Sequence, residues 1–382
     1  MCAWRCGRAV NRLSNLCDVG RPALILAALA ADAAPGKNFR NFRRMSDNPD
    51  LEILELWDDQ DNPYTLTIPA SIAGVAEQAQ LMQGLRAIAK VQDELPFEIP
   101  SIVGSSSDGE GNTAVVMTMV AGQAPDLSRY APGAFSQTFA SAMAAIHKLD
   151  PAVVRDFGLV ELDATAVLQS KVQELDKAAA RGKVPAKLLS RWEEALEDVS
   201  LFRFHTTVIH GAISQDSVFV DGQSVVAVSD FSHLSISDPA EDLKYLAGGA
   251  LPSTFEDALL HYKSNRENAD ENIQQRAQLY SELELATWLT HCLAVGEEKA
   301  ISDAEAMLAD LAEQLDAGSL RSLRAASFIG LGAAAVTATA VMNTSPAEPE
   351  LEAEEPEPEL EAEEMPEAPV QDLGESSLDE LF

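Results

Sequence analysis

The residues of this chain that could do chemistry are concentrated between His210 and Leu243, in a segment that reads HGAISQDSVFVDGQSVVAVSDFSHLSISDPAEDL. A histidine and a glycine open a loop, an apolar run follows the loop, and Asp230 stands beside Phe231 after a second apolar run. Carboxylate and hydroxyl oxygens are the ligands that a hard cation such as Mg²⁺ prefers. The Asp and Ser side chains of this segment therefore carry oxygens that such a cation could use.

The same segment resembles the centre of the aminoglycoside and macrolide phosphotransferase family, whose members have a protein-kinase-like fold. That family carries a pattern close to H-G-D-x-x-x-x-N, a strand, I-D-W or I-D-F, and then G-D-P-x-x-D-L. His210 and Gly211 match the start of the pattern, and Asp230 with its aromatic neighbour matches the metal-binding pair. Residues 238–243 match its end almost letter for letter. The resemblance implies an α+β, two-lobed fold with a small β-rich N-lobe and a larger, mostly helical C-lobe.

Two departures from the family pattern remove chemistry from this segment. The catalytic Asp, which accepts the proton of the acceptor hydroxyl, falls on Ala212, and the metal-binding Asn falls on Ser217. General-base help is worth roughly 10² to 10⁴ in rate, or about 3–5 kcal/mol of barrier. Ala212 cannot supply it, whereas the Ser217 hydroxyl still offers an oxygen to Mg²⁺. Asp216 is the candidate substitute carboxylate, although a shift of one residue on a tight loop redirects a side chain.

The resemblance also implies a basic residue in the N-lobe that holds the phosphates of ATP or GTP. Apolar patterns predict strands over 51–57 and 63–70, and helical spacing predicts a helix over 73–89. Thr67 falls on the strand position of that base, and Glu77 is the candidate for the acidic helix residue that would pair with it. Because the base is missing, the sequence favours the alternative that Glu77 is a solvated helix residue. A neutral hydroxyl cannot neutralise triphosphate charge, so we expect the affinity for nucleotide to suffer.

Helical patterns dominate the second half of the chain. They predict helices near 133–148, 163–180, 185–198, 239–248, 252–263, 272–294 and 303–316. Asp238 and Asp242 are expected to hold the loop by hydrogen bonds, together with His210. Residues 182–204 resemble the macrolide-type members of the family, and the glycine-rich stretch 104–111 is predicted to be a hairpin turn.

Composition separates two lobes from two unusual ends. We predict an N-terminal extension that is disordered or misassigned over 1–21, an N-lobe over 22–122, a C-lobe over 123–316, an apolar linker over 317–344 and a disordered acidic tail over 345–382. The formal net charge is −34. Such a balance argues against nucleic acid as a partner, because its phosphates would be repelled, and it suits a cytoplasmic protein.

Both ends leave alternatives open. A basic segment before the apolar stretch 22–34 is also typical of a secretory signal. The uncharged stretch 325–342 has the length of a short membrane anchor, and a flexible linker is its alternative. The acidic tail has 15 Asp and Glu residues and no Lys or Arg. Its more apolar end at 377–382 could dock a protein partner as a short linear motif, or be inert.

These observations favour a pseudokinase that keeps the fold and acts by binding or regulation. Asp230 would be its remaining metal ligand, and Mg²⁺ with ATP or GTP is the cofactor set implied by the family. The first alternative is an active ATP- or GTP-dependent O-phosphotransferase of small molecules that uses Asp216. The second is a membrane-tethered scaffold that recruits partners through its acidic tail.

Overall fold

A five-stranded antiparallel sheet forms the N-lobe. The computed structural model of the protein describes residues 21–45, 48–266 and 268–325. The strands are β1 (Phe39–Met45), β2 (Leu51–Asp58), β3 (Pro63–Pro69), β4 (Ile102–Ser107) and β5 (Thr113–Thr118). They lie in the order β1-β2-β3-β5-β4. The register sets Leu54 opposite Leu66, and both side chains are fully buried, so the apolar alternation of these strands faces one core.

Two helices pack on this sheet, α1 (Ala23–Ala33) and α2 (Ile72–Ile88). The apolar stretch 22–34 of the sequence thus supplies a helix whose Leu26 and Ala30 are buried against the sheet. The backbone of α1 approaches β4 at Gly104, where an added Cβ atom would lie 2.1 Å from the carbonyl oxygen of Ala33. A side chain at this position would separate helix and strand.

The C-lobe is mostly helical. Its helices are α3 (Ala134–Lys148), α4 (Ala152–Arg155), α5 (Ala164–Ala179), α6 (Ala186–Glu197), α7 (Ala240–Gly249), α8 (Pro252–Asn265), α9 (Ile273–Val295) and α10 (Glu298–Asp316). Its strands form two small antiparallel sheets, β6 (Thr207–Ile209) with β9 (Ser235–Ser237) and β7 (Val218–Asp221) with β8 (Ser224–Val228). Short 3₁₀ turns follow α2 and precede α3, β6 and β9; the last of these is Phe231–His233. The predicted α+β, two-lobed fold is confirmed.

One apolar core runs from α2 through the C-lobe, and its largest fully buried side chains include Trp192, Phe135 and Tyr262. All described residues belong to one compact unit. Predicted helices agree with α2, α3 and α5–α9 to within about two residues, whereas α10 begins at Glu298 rather than near residue 303. The predicted hairpin turn over 104–111 is only partly found, because residues 104–107 belong to β4 and the turn between β4 and β5 covers 108–112.

Helix α2 packs against both the N-lobe strands and the segment that follows Asp230. A side chain on Gly74 would meet the carbonyl oxygen of Asp50 at 1.9 Å, and one on Gly84 would meet that of Phe231 at 1.8 Å. Ser71 caps the helix by accepting a hydrogen bond from the Gly74 amide at 3.1 Å. Glycine at these two positions lets the helix lie directly on two backbone segments and so fixes Phe231 relative to the N-lobe.

Several predictions concern residues that the structure does not describe. The extension over 1–20, the anchor or linker stretch over 326–342 and the acidic tail over 345–382 lie outside the described residues. Within residues 21–45, 48–266 and 268–325, no helix is both long and apolar enough to cross a bilayer. The predicted lobe boundaries stay predictions.

Candidate active site

Asp242, in the first turn of α7, holds the backbone of the loop that follows β6. Its carboxylate accepts hydrogen bonds from the amides of His210 and Gly211, at 2.8 and 2.7 Å. The Asp242 side chain is fully buried. Burial alone would raise its pKa, but the hydrogen bonds from His147 and from the loop backbone lower the pKa and keep the group ionised.

A chain of buried hydrogen bonds reaches Asp242 from the opposite side. Arg266 donates to the Tyr262 hydroxyl oxygen at 2.6 Å, and that hydroxyl donates to Nδ1 of His147 at 2.7 Å. Nε2 of His147 then donates to Asp242 at 3.0 Å. Burial lowers the pKa of His147, so the ring is neutral and its tautomer follows from these partners. The chain orients Asp242 from α3 and α8.

His210 supports the loop and is not placed for proton transfer. Its Nε2 donates to the Ser229 carbonyl at 2.7 Å, and its Nδ1 accepts from the Ala212 amide at 3.2 Å. The ring is fully buried and packs on Phe231 at a centroid distance of 4.7 Å. Burial lowers its pKa and keeps it neutral. These contacts place His210 where it holds the loop, the role expected for it together with Asp238 and Asp242.

The loop itself presents few reactive groups. Ala212 is half-buried and offers only a methyl group beyond its backbone. The Ser217 hydroxyl accepts from the Ser214 amide at 2.8 Å and donates to the Ala212 carbonyl at 3.2 Å. The Ser217 side chain is 1% exposed, so it closes the loop. This geometry differs from the expectation that its hydroxyl is free to bind a cation.

Asp216 and Asp230 are both exposed. The negative charge of each affects the pKa of a different neighbouring residue. Burial, then the charges of Asp216 and Asp126, raise the pKa of the Tyr245 hydroxyl on α7. The charge of Asp230 instead acts on His210, where it opposes the larger effect of burial on the histidine pKa. The structure gives no contact between Asp216 and Asp230 that would make them a pair of metal ligands.

The backbone of Asp230 is left-handed, unlike that of most residues of the chain. Its φ and ψ are both 60°, in the left-handed region, which costs a non-glycine residue roughly 1 kcal/mol. Its carboxylate accepts a hydrogen bond from the Ser232 hydroxyl at 2.6 Å. Strain of this kind persists where surrounding structure imposes it, here through the burial of Phe231 under α2. Across residues 21–45, 48–266 and 268–325, no group of three or more His, Cys, Asp or Glu side chains is arranged to hold a metal ion.

The N-lobe side of the cleft contains a neutral pair instead of an ion pair. Nε2 of Gln78 on α2 donates to the Thr67 carbonyl at 3.0 Å and to the Thr67 hydroxyl oxygen at 3.1 Å. Both side chains are buried. Glu77, the candidate for the acidic helix residue, accepts from Asn48 at 3.0 Å. Gln78, rather than Glu77, is therefore the residue of α2 that contacts Thr67.

The three stretches that build the cleft between the lobes contain no side chain with a fixed positive charge. Residues 45–85, 91–128 and 204–243 contain no Lys or Arg. They include β2, β3, β5, the connection between the lobes, the loop after β6 and Asp230. On the neighbouring strand β1, Arg43 pairs with Glu55 and Arg44 with Glu52. These stretches supply only acidic and neutral side chains, which do not favour a triphosphate.

Asp238, at the turn before α7, is held by a second buried network. Arg276 on α9 forms two bonds to its carboxylate, at 2.6 and 3.0 Å, and the Tyr280 hydroxyl donates a third at 2.7 Å. The prediction of a supporting role for Asp238 and Asp242 agrees with these contacts. Sequence reasoning missed the partners His147 and Arg276, because they lie 95 and 38 residues away from the carboxylates that they bind.

Comparison with known proteins gives one family and one fold. The model of the phosphotransferase enzyme family matches residues 53–279. No curated protein matches the chain. Among solved structures, the macrolide 2'-phosphotransferase MphH of Brachybacterium faecium is 19% identical, with a TM-score of 0.63 over 75% of this chain and 97% of that one. A type I macrolide 2'-phosphotransferase is 21% identical, with a TM-score of 0.63 over 74% of this chain and 95% of that one.

A third similar structure is APH(2")-IIIa in complex with GDP and kanamycin. It is 16% identical, with a TM-score of 0.62 over 78% of this chain and 100% of that one. At such identities the likeness is one of fold. It supports the kinase-like arrangement of the two lobes.

Proposed function

The chain belongs to the phosphotransferase enzyme family, and from this premise we propose that it is a catalytically impaired member, a pseudokinase that acts by binding. The observation that carries the proposal is Ala212, which stands at the position of the family's catalytic base on a loop whose backbone is firmly held. Without a proton acceptor the loop can still shape a site, but it loses a rate factor of roughly 10² to 10⁴.

The other residues of the site support the same proposal. Family members in solved structures bind GDP, and one is described as a ternary complex with streptomycin and ATP. In this chain, the binding of Mg²⁺ with ATP or GTP would depend on Asp230 alone among the predicted ligands. The Ser217 hydroxyl is already hydrogen-bonded within the loop, which it closes. Thr67 and Gln78 supply no charge to the phosphates. The residues fit a magnesium nucleotide poorly, and we assign no reaction step to one.

A transfer assay tests the proposal. The full chain is incubated with Mg²⁺ and ATP or GTP, with kanamycin or a macrolide as acceptor, and nucleoside diphosphate and phosphorylated acceptor are measured. We expect rates no higher than those of the Asp230→Ala variant. Acceptor phosphorylation that is lost in Asp230→Ala would overturn the proposal. If it is also lost in Asp216→Ala, the active O-phosphotransferase with a substitute base is the correct function.

A binding experiment separates impaired catalysis from loss of the nucleotide site. Thermal unfolding is followed with ATP, GTP and no nucleotide, each with and without Mg²⁺. A ligand at 100 times its Kd stabilises the folded state by about 2.7 kcal/mol, which is easily seen. We expect at most a small shift for the wild-type chain, with no dependence on Mg²⁺.

A further inference from the structure

Strand β1 is one of the two outer strands of the N-lobe sheet, and its far side has no strand beside it among the residues that the structure describes. It pairs with β2 in a regular antiparallel ladder over residues 41–45, after an irregularity between Phe39 and Asn41. Residues 40–44 are all exposed. On an outer strand, every second residue turns its backbone N–H and C=O groups away from the sheet. β1 therefore presents backbone donors and acceptors to which a further strand could bind.

Positive charge is concentrated on and just before this strand. Residues 33–46 contain four Lys and Arg residues and no Asp or Glu. Arg43 donates to Glu55 at 2.7 Å, and Arg44 donates to Glu52 at 2.7 Å, both on β2. The Arg43 side chain is nevertheless 65% exposed, and a guanidinium has five N–H groups, which one carboxylate does not use up. Arg43 can therefore bind a second carboxylate on the free side of β1.

Apolar and basic side chains of β1 lie on opposite faces of the sheet, because successive residues of a strand alternate between the faces. Phe42 lies opposite Leu56 in the register, and Leu56 is buried in the core beneath α1. Phe42 is thus on the α1 face, where it is 46% exposed. Arg43 lies opposite Glu55, on the other face. We call residues 41–45, with these two side chains, the edge surface.

A strand that fits the edge surface has acidic and apolar residues in alternation. Its apolar side chains would cover Phe42 on one face, and its carboxylates would pair with Arg43 on the other. A second copy of β1 would set arginine against arginine, and like charges directly opposite each other are unfavourable, so the edge surface disfavours self-association. The net charge of −34 acts only weakly on an acidic peptide at physiological salt, because screening over about 8 Å leaves the nearest groups to decide.

We propose that the edge surface binds an acidic peptide of a partner protein as an added strand, in which Glu or Asp alternates with an apolar residue. The proposal is independent of the proposed function, because β1 contains none of the residues assigned to the candidate active site. Strand β4 provides an internal comparison, since it is the other outer strand of the sheet and residues 102–107 contain no charged side chain. Backbone groups alone would bind a peptide at both edges, whereas charge selects β1.

A seven-residue peptide of alternating Glu and Val with blocked ends (EVEVEVE) is a suitable probe. Replacing Glu by Lys reverses its charge, and Pro at the centre (EVEPEVE) keeps the charge but removes a backbone donor. Binding to the full chain is measured by titration calorimetry, and hydrogen exchange is followed in β1 and β4. We expect the Glu–Val peptide to bind and to slow exchange in β1 but not in β4, and the two control peptides to do neither.

Three results would overturn the proposal. The first is an equal affinity for the Glu–Val peptide and the Pro peptide, which would show that charge alone attracts them. The second is protection of β4 that equals the protection of β1. The third is no binding of the Glu–Val peptide at about 1 mM, where even a weak specific contact is populated.

Variants locate the peptide on the edge surface. Arg40→Gln/Arg43→Gln removes two bases of β1 and should weaken binding by about threefold to tenfold, as expected for two partly screened ion pairs. Its matched control, Arg155→Gln/Lys263→Gln, removes two bases from ion pairs on the C-lobe surface and should leave binding unchanged. Phe42→Ser should also weaken binding, through loss of the apolar contact. Unchanged affinity in both β1 variants, each shown to be folded by thermal unfolding, would show that the peptide binds elsewhere and would overturn the proposal.

Discussion

The carboxylate of Asp242 accepts three hydrogen bonds, two from the backbone of the loop and one from His147. An asparagine in its place would present an NH₂ group to at least one of these donors. The loop would then have an unsatisfied amide in a fully buried position. We expect Asp242→Asn to lower the free energy of unfolding by about 3–5 kcal/mol, as for the loss of one partner in a buried charged network.

Urea unfolding of the full chain measures this loss. Asp303→Asn, at an exposed position on α10, is the control and should stay within about 0.5 kcal/mol of wild type. A loss below about 1 kcal/mol in Asp242→Asn would show that the loop does not depend on this carboxylate. A large loss would show that the network around Asp242 preserves the shape of the loop.

The Thr67–Gln78 pair allows the nucleotide site to be tested by gain of function. Thr67→Lys/Gln78→Glu installs an ion pair where the wild type has a neutral hydrogen bond, and adds a positive charge for the phosphates. We expect this double variant to show a Mg²⁺-dependent thermal shift with ATP that the wild type lacks. Thr67→Lys alone should be less stable than the double variant, by about 3–5 kcal/mol, because its buried charge has no partner.

Asp230→Ala in the same double variant is the control for the metal. It should remove the dependence on Mg²⁺ and leave the stability of the ion pair unchanged. Failure of the double variant to bind ATP, in a chain that folds as stably as wild type, would show that the cleft lacks more than a base. The lack of charge on Thr67 and Gln78 would then not explain weak binding of nucleotide by the wild type.

Helix α2 is the element that sets the position of Phe231 and hence of Asp230. Gly84 is the contact, since a Cβ atom there would lie 1.8 Å from the Phe231 carbonyl oxygen. Alanine is the better helix former by about 1 kcal/mol, so propensity alone predicts that Gly84→Ala stabilises the chain. Overpacking against backbone costs about 1–3 kcal/mol and should reverse the sign.

Thermal unfolding decides between these effects. We expect a lower Tm for Gly84→Ala. Ala76→Gly, at an exposed position of the same helix, should lose about 1 kcal/mol through propensity alone. A rise in Tm for Gly84→Ala would mean that the 3₁₀ turn after Asp230 can move away from α2 at little cost.

Most elements of this fold could be predicted from the sequence, because their apolar periodicity is local. The inner face of α2 could be predicted only approximately, since Gln78 (3, 7 and 10 residues away) and Glu77 (4, 8 and 11 residues away) both lie beside the stripe of Leu81, Leu85 and Ile88. The partners of Asp238 and Asp242 could not, because Arg276 and His147 belong to helices that meet these carboxylates only after folding.

For the whole molecule, buried neutral histidines make stability depend on pH in a definite direction. Burial lowers the pKa of His147 and His210 below the ordinary value of 6.5. Below about pH 6.5 the unfolded chain therefore binds protons that the folded chain does not bind. Each histidine then costs at most about 1.4 kcal/mol of stability per pH unit as the pH falls toward its folded-state pKa, and the dependence fades above pH 6.5.

Carboxylates cause a second loss of folding stability, at lower pH. Burial would raise the pKa of Glu241, but Lys171 and Lys244 lower it to about 2. The pKa of Asp58 and that of Asp108 are also about 2, because hydrogen bonds from Asn62 and Asn112 outweigh desolvation. These groups stabilise the folded state above their unfolded values near 4. Their contribution is lost as the pH falls from about 4.5 toward 2, well separated from the range in which the histidines act.

Urea midpoints at pH 7.5, 6.5 and 5.5, at constant ionic strength, measure the histidine effect. With two buried histidines the free energy of unfolding should fall by up to about 2.8 kcal/mol per pH unit below about pH 6.5. His147→Gln keeps a hydrogen-bonding side chain but cannot titrate, so it should be less stable at pH 7.5 and yet show about half the slope. His205→Gln, at an exposed position, should reproduce the wild-type slope. Equal slopes in wild type and His147→Gln would mean that His147 is protonated in the folded chain, paired with Asp242 as an ion pair within the core.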